Sequence, residues 1–119
     1  AQCLVGSEMC IRDRLFGGEK MLYHNVMWKF CDAEGKTLDE NIEIVRAGLT
    51  ALPEKISQIK SLTFIKNEVV CDRNFDAMLT VVTENEDDLN AYKVHPEHQK
   101  VASYVKKVTS GRAAVDYYK

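Results

Sequence analysis

The chain lacks long apolar runs, internal repeats and a dominant charge. No apolar stretch approaches the roughly 20 residues needed to span a bilayer, so a membrane-spanning helix is not expected. Sixteen basic residues nearly balance eighteen acidic ones, for a net charge of -2. That balance gives no long-range field to attract nucleic acid or an anionic membrane surface. Low-complexity tracts and a Pro- or Ser-rich linker are also missing; the only prolines are Pro53 and Pro96. A length of 119 residues leaves room for one domain. A domain this small buries only about two-thirds of its unfolded surface, so a partner subunit would add useful stability.

Cysteine is sparse and scattered. Cys3 and Cys10 lie in an irregular N-terminal stretch, and Cys31 and Cys71 belong to no close Cys/His ligand pair. Reduced thiols in a cytoplasmic protein are the favoured reading. A zinc site from Cys31, Cys71 and a histidine is the lesser alternative.

Residues 1–20, AQCLVGSEMCIRDRLFGGEK, show no helical or strand periodicity. They also lack the basic start and apolar core of a signal peptide. CLVGSEMCIRDR resembles a sequencing adapter translated in frame with a gene. Gly17-Gly18-Glu19-Lys20 can be encoded by GGA-GGA-GAA-AAA, a bacterial ribosome-binding site placed just before Met21. The expectation is a non-native, disordered extension over 1–20 and one domain over 21–119.

Met21 to Phe30 reads as a strand that is apolar on both faces. Leu22, His24, Val26, Trp28 and Phe30 share one face, and Met21, Tyr23, Asn25, Met27 and Lys29 the other. A helix follows from Thr37 to about Lys55. Thr37 and Glu40 form a capping box, and Leu38, Ile42, Val45, Leu49, Leu52 and Ile56 make one apolar stripe. Pro53 predicts an irregular last turn. Segments 59–70 and 76–84 read as an antiparallel pair of strands. Asn85 caps a short helix that falters before Pro96, which opens a second helix to about Thr109, with Gly111 near its end. Ala113 to Tyr118 closes the chain as a strand.

Strand, helix, strand, strand, helices, strand is the order of a split β-α-β unit. It predicts an α+β, ferredoxin-like subunit with a four-stranded antiparallel sheet and helices on one face. The second apolar face calls for another cover, and a second copy packed sheet on sheet supplies it, giving a homodimer.

All three histidines lie after residue 20. His98 shares a helical stripe with Val101, Val105 and Val108 and should point inward. His95, just before Pro96, suits a capping role. If the helices cover the His24 face, then His24 and His98 meet in one partly apolar pocket lined by Val26, Trp28 and Val101. A neutral histidine there could serve as a general base, with Tyr92 donating to developing oxyanion charge. Alternatively, the buried histidines simply satisfy backbone carbonyls. A metal site from His24, His95 and His98 lacks a closely spaced acidic ligand.

HNVMWKF at 24–30, the capped helix, AYKVHPEHQKV at 91–101 and AVDYY at 114–118 together resemble the stress-responsive A/B-barrel, or dimeric α/β-barrel, family. The resemblance covers essentially all of 21–119. It implies a ferredoxin-like subunit whose sheet pairs with a second sheet into a barrel. One plant relative in that family is a polyketide cyclase that needs no cofactor and closes its substrate by intramolecular aldol condensation. Its active-site histidine on the first strand, tyrosine and last motif histidine match His24, Tyr92 and His98.

Three readings follow. The first is a cytoplasmic homodimer with a small pocket for a hydrophobic or carbonyl-containing ligand. The second is a cofactor-independent cyclase, lyase or isomerase, with His98 as base, Tyr92 as oxyanion donor and His24 orienting the substrate. The third is a non-catalytic, stress-related structural oligomer. Nothing in the sequence specifies flavin, haem or a metal as cofactor.

Overall fold

Strict alternation along the first strand organises the computed structural model, which describes residues 20–119. β1 (Leu22–Phe30) buries every second side chain from Leu22 to Phe30 and leaves those between them half-buried. The other strands are β2 (Ser61–Lys66), β3 (Ala77–Thr83) and β4 (Thr109–Tyr118). All neighbours run antiparallel in the order β2-β3-β1-β4. The helices are α1 (Leu38–Thr50), α2 (Glu86–Val94) and α3 (Pro96–Val108). This is the ferredoxin-like split β-α-β order expected from the sequence. The extension expected over 1–20 lies, Lys20 apart, outside the described residues.

One core joins the inward face of β1 to the apolar stripe of α1. Ile42, Val45 and Leu49 from the helix pack in it with Val26, Trp28 and Leu79 from the sheet. Each such side chain contributes about 1.5–3 kcal/mol by leaving water. The Thr37 capping box starts α1, and Asp32 adds a further cap by accepting from the Leu38 N–H at 2.7 Å. Before it, Ala33 and Lys36 exchange backbone hydrogen bonds around Glu34 and Gly35, both at positive φ (56° and 74°). That is the geometry of a tight two-residue turn.

α1 ends at Thr50, earlier than the stripe predicted. A short 3₁₀ turn, Leu52–Glu54, takes up the rest, because Pro53 fits the first turn of a new helix and not the interior of an old one. The stripe itself is kept, with Leu52 and Ile56 fully buried. β2 stops at Lys66, because Asn67 N–H already closes on the Asp76 carbonyl and the chain between them loops outward.

The clearest departure is β4, which begins at Thr109 and not at Ala113. Thr109 is already extended, and its hydroxyl donates to the Val105 carbonyl, so one residue ends α3 and starts the strand. Lys29 pairs with Gly111 and Phe30 with Thr109, so Ser110 is the extra residue of a β-bulge.

The opposite sheet face carries Tyr23, Met27, Ile65, Met78, Val115 and Tyr117. Ile65 and Val115 are 53% and 57% exposed there, and Tyr23 stacks on Tyr117 with ring centroids 5.6 Å apart. No helix among the described residues is long and apolar enough to cross a membrane.

Candidate functional site

His24 sits mid-strand on the covered face of β1, between Leu22 and Val26. Its neighbour across β4 is Asp116. Directly opposed residues of an antiparallel pair share a face, so the two side chains meet. His24 Nδ1 lies 2.6 Å from Asp116 Oδ1. A carboxylate can only accept, so Nδ1 carries the proton and Nε2 keeps the lone pair of the neutral ring. Burial lowers the His24 pKa below 6.5; Asp116 opposes that shift, while the positive charges of Lys93 and Arg112 add to it.

His98 is placed by the break between α2 and α3. His95 is extended there (φ -64°, ψ 135°), as a residue before proline prefers, and its Nδ1 accepts from Glu97 N–H at 3.1 Å. The break leaves the Lys93 carbonyl free to accept from His98 Nδ1 at 2.9 Å and from Gln99 Nε2 at 2.6 Å. The carbonyl fixes the His98 tautomer in the same sense as Asp116 fixes that of His24. Burial lowers the His98 pKa, and the nearby charges of His24, Lys93 and His95 lower it further, against the pull of the carbonyl.

Tyr92 packs against His98, with ring centroids 4.4 Å apart. It is 1% exposed, and its hydroxyl has no hydrogen-bond partner. Burial raises its pKa, so it remains a neutral donor.

His24, Tyr92 and His98 line one cavity of about 410 Å³ between sheet and helices. Val26, Trp28, Leu79, Leu49 and Val105 supply its apolar wall. Trp28 is held in place by Phe64, stacked at 6.5 Å, and Phe30, edge-on at 6.2 Å. Lys93, Gln99, Lys106 and Arg112 supply polar lining, the last three being exposed at the mouth. The volume is in the range of small-molecule sites, about 300–1,000 Å³. With both imidazoles neutral near pH 7, the arrangement offers two basic nitrogens and one buried hydroxyl donor to whatever enters.

Of the residues singled out in the sequence, His24, Tyr92, His98, Val26 and Trp28 are brought together. Val101 is not part of the lining. It lies on the side of α3 that faces α1, where a Cβ on Gly48 would come within 3.2 Å of both its methyl groups. The sequence reading missed Asp116, Arg112, Lys106 and Lys93. Only the β4 register could have revealed the first two, because it sets Asp116 beside His24 and Arg112 beside Trp28. Cys31 and Cys71 are free thiols, and no cluster of three His, Cys, Asp or Glu among the described residues could hold a metal ion.

The sequence profile of the Stress responsive A/B Barrel Domain matches residues 22–119. No curated protein matches the chain. Among solved structures, a dimeric ferredoxin-like protein of unknown function from Thermobifida fusca is 23% identical, with a TM-score of 0.71, over 84% of this chain and 92% of that one. A dimeric protein of unknown function with a ferredoxin-like fold from Bacteroides fragilis is 27% identical, with a TM-score of 0.67, over 83% and 96%. The hydroxynitrile lyase of Passiflora edulis is 10% identical, with a TM-score of 0.71, over 85% and 94%, and so shares the fold.

Proposed function

Because the chain belongs to the stress responsive A/B barrel domain family, we propose that it is a homodimer in which each subunit binds a small, partly apolar carbonyl compound between sheet and helices. The carrying observation is Tyr92, which lines the cavity together with His24 and His98 and whose buried hydroxyl has no hydrogen-bond partner in the protein. Folding gains nothing from such a group and loses about 1–3 kcal/mol of hydration. A ligand oxygen would restore the missing bond. Two features support the dimer: the apolar sheet face opposite the helices, and the dimeric relatives from Thermobifida and Bacteroides. Sheet-on-sheet packing would cover Ile65, Val115 and Tyr117.

A second reading, cofactor-independent lyase, cyclase or isomerase chemistry, is favoured by the His24–Asp116 pair. Asp116 would stabilise the imidazolium that forms when His24 Nε2 takes a proton from carbon next to the carbonyl. Tyr92 would donate to the oxyanion. His98, held by a backbone carbonyl, then orients the substrate or returns the proton. This exchanges the roles of the two histidines expected from the sequence. The Passiflora lyase is a precedent for catalysis on this fold. A purely structural oligomer would leave the cavity and the unpartnered hydroxyl without a purpose.

Thermal-shift screening against small aldehydes and ketones tests the binding reading, which predicts stabilisation of wild type that Tyr92→Phe weakens. Hits that stabilise both proteins equally would place the ligand elsewhere. Turnover of a hit should drop by about a hundredfold or more in His24→Ala. Full turnover in that variant would remove His24 as the base.

A further inference from the structure

Lys93, Lys106 and Arg112 come from three different elements, the last turn of α2, the last turn of α3 and β4, yet all line the same cavity. None of the three forms an ion pair with any carboxylate among the described residues. Elsewhere on the surface Lys55, Lys60, Lys66 and Lys100 each have a Glu or Asp partner, whereas Lys29, Lys36, Lys107 and Lys119 stand apart from this cavity's lining. Asp116, on the same strand as Arg112, is committed to His24. In a chain of net charge -2, three cationic side chains without an ion pair thus line one cavity, and Lys106 and Arg112 are the exposed ones. The rest of the lining includes an apolar wall and Tyr92, whose buried hydroxyl has no protein partner.

We infer that the ligand is a carbonyl compound bearing a carboxylate: an oxo acid whose charged end is held at the mouth by Arg112 and Lys106, with its apolar chain against Trp28 and Val26. This rests on the carbonyl-binding reading above and narrows it to anions. A guanidinium presents a planar pair of N–H donors that matches a carboxylate, which makes Arg112 the principal anchor. The orientation follows: with the acid end outside, the carbonyl lies deeper, toward Tyr92. Two of these charges also act on the imidazoles: Lys93 and Arg112 add to the lowering of the His24 pKa, and Lys93 to that of His98.

The test compares matched pairs, a homologous series of α-keto acids and their methyl esters, by calorimetric titration and thermal shift on the full chain. The acids are expected to bind at least about tenfold more tightly than their esters, as removal of one charge-assisted hydrogen bond implies. Arg112→Gln should erase most of that preference, lowering acid affinity by a larger factor than ester affinity. Raising the salt concentration should weaken the acids alone. If the esters bind as tightly as the acids, the anion inference is overturned and the carbonyl reading stands. If Arg112→Gln and Lys106→Gln both keep the preference, the anchors are wrong. If neither series binds, both the inference and the reading beneath it are overturned.

Discussion

Tyr92→Phe should make the protein more stable, although it removes a hydrogen-bonding group from the core. The substitution deletes one oxygen from a ring that is 1% exposed, next to His98 and inside the cavity. In the unfolded chain that hydroxyl is hydrated; in the folded chain no protein group bonds it. Burying it unpaired opposes folding by about 1–3 kcal/mol. Phenylalanine avoids this and loses only the few dispersion contacts of one atom, each about 0.1–0.2 kcal/mol. The net expectation is a gain of about 1 kcal/mol, or about 4–8 °C in Tm for a domain of this size. Scanning calorimetry at one fixed protein concentration, on the two proteins side by side, measures it. A fall in Tm would mean that the hydroxyl has a stabilising partner, and the case for a ligand oxygen at that point would collapse. A rise coupled to weaker ligand binding is the pattern expected when a site holds a group for function at the expense of stability.

Asn41 makes the opposite prediction. Fully buried, it donates to the Cys31 and Ala33 carbonyls and accepts from the Tyr104 hydroxyl, so Asn41→Ala orphans three groups and should cost about 3 kcal/mol or more by urea unfolding. A loss below about 1 kcal/mol would show that this hub is dispensable. The histidines predict a pH dependence. Their folded pKa values lie below 6.5, so the unfolded chain binds protons first as pH falls. Stability should be full above about pH 7, decline as pH drops through about 6.5 at up to about 1.4 kcal/mol per unit for each histidine, and level off below the folded values. His98→Gln should flatten that decline; an unchanged slope would mean that His98 does not stay neutral in the folded state.

The covered face of β1 and the α1 stripe were legible because each repeats with its own period: Leu22 through Phe30 by twos, Leu38 through Leu49 by threes and fours. His24 and His98 could be placed in one pocket by the same reasoning. Local patterns failed where the deciding contact was remote. Gly111 read as the end of a helix, yet it sits in a strand because Lys29 pairs with it. Val101 read as pocket lining because it shares a stripe with His98, but α1 comes so close at Gly48 that it claims the side chain. Asp116 carried no local signal, since a single acid in a terminal strand is ordinary. Its meaning comes from a register between residues 92 positions apart.

β4 is an edge strand, bonded to β1 alone, and from Ala114 to Tyr118 every residue is exposed. Arg112 and Asp116 thus stand on the element with the least invested in the core. Exposed positions that make no hydrogen bond to the core usually change stability by less than about 0.5 kcal/mol, whereas Asp116 is tied to the buried His24. The apolar wall on β1 and α1 cannot vary so freely. A designer seeking a different ligand should therefore begin along this margin, with Arg112 and Ala114, before touching Trp28.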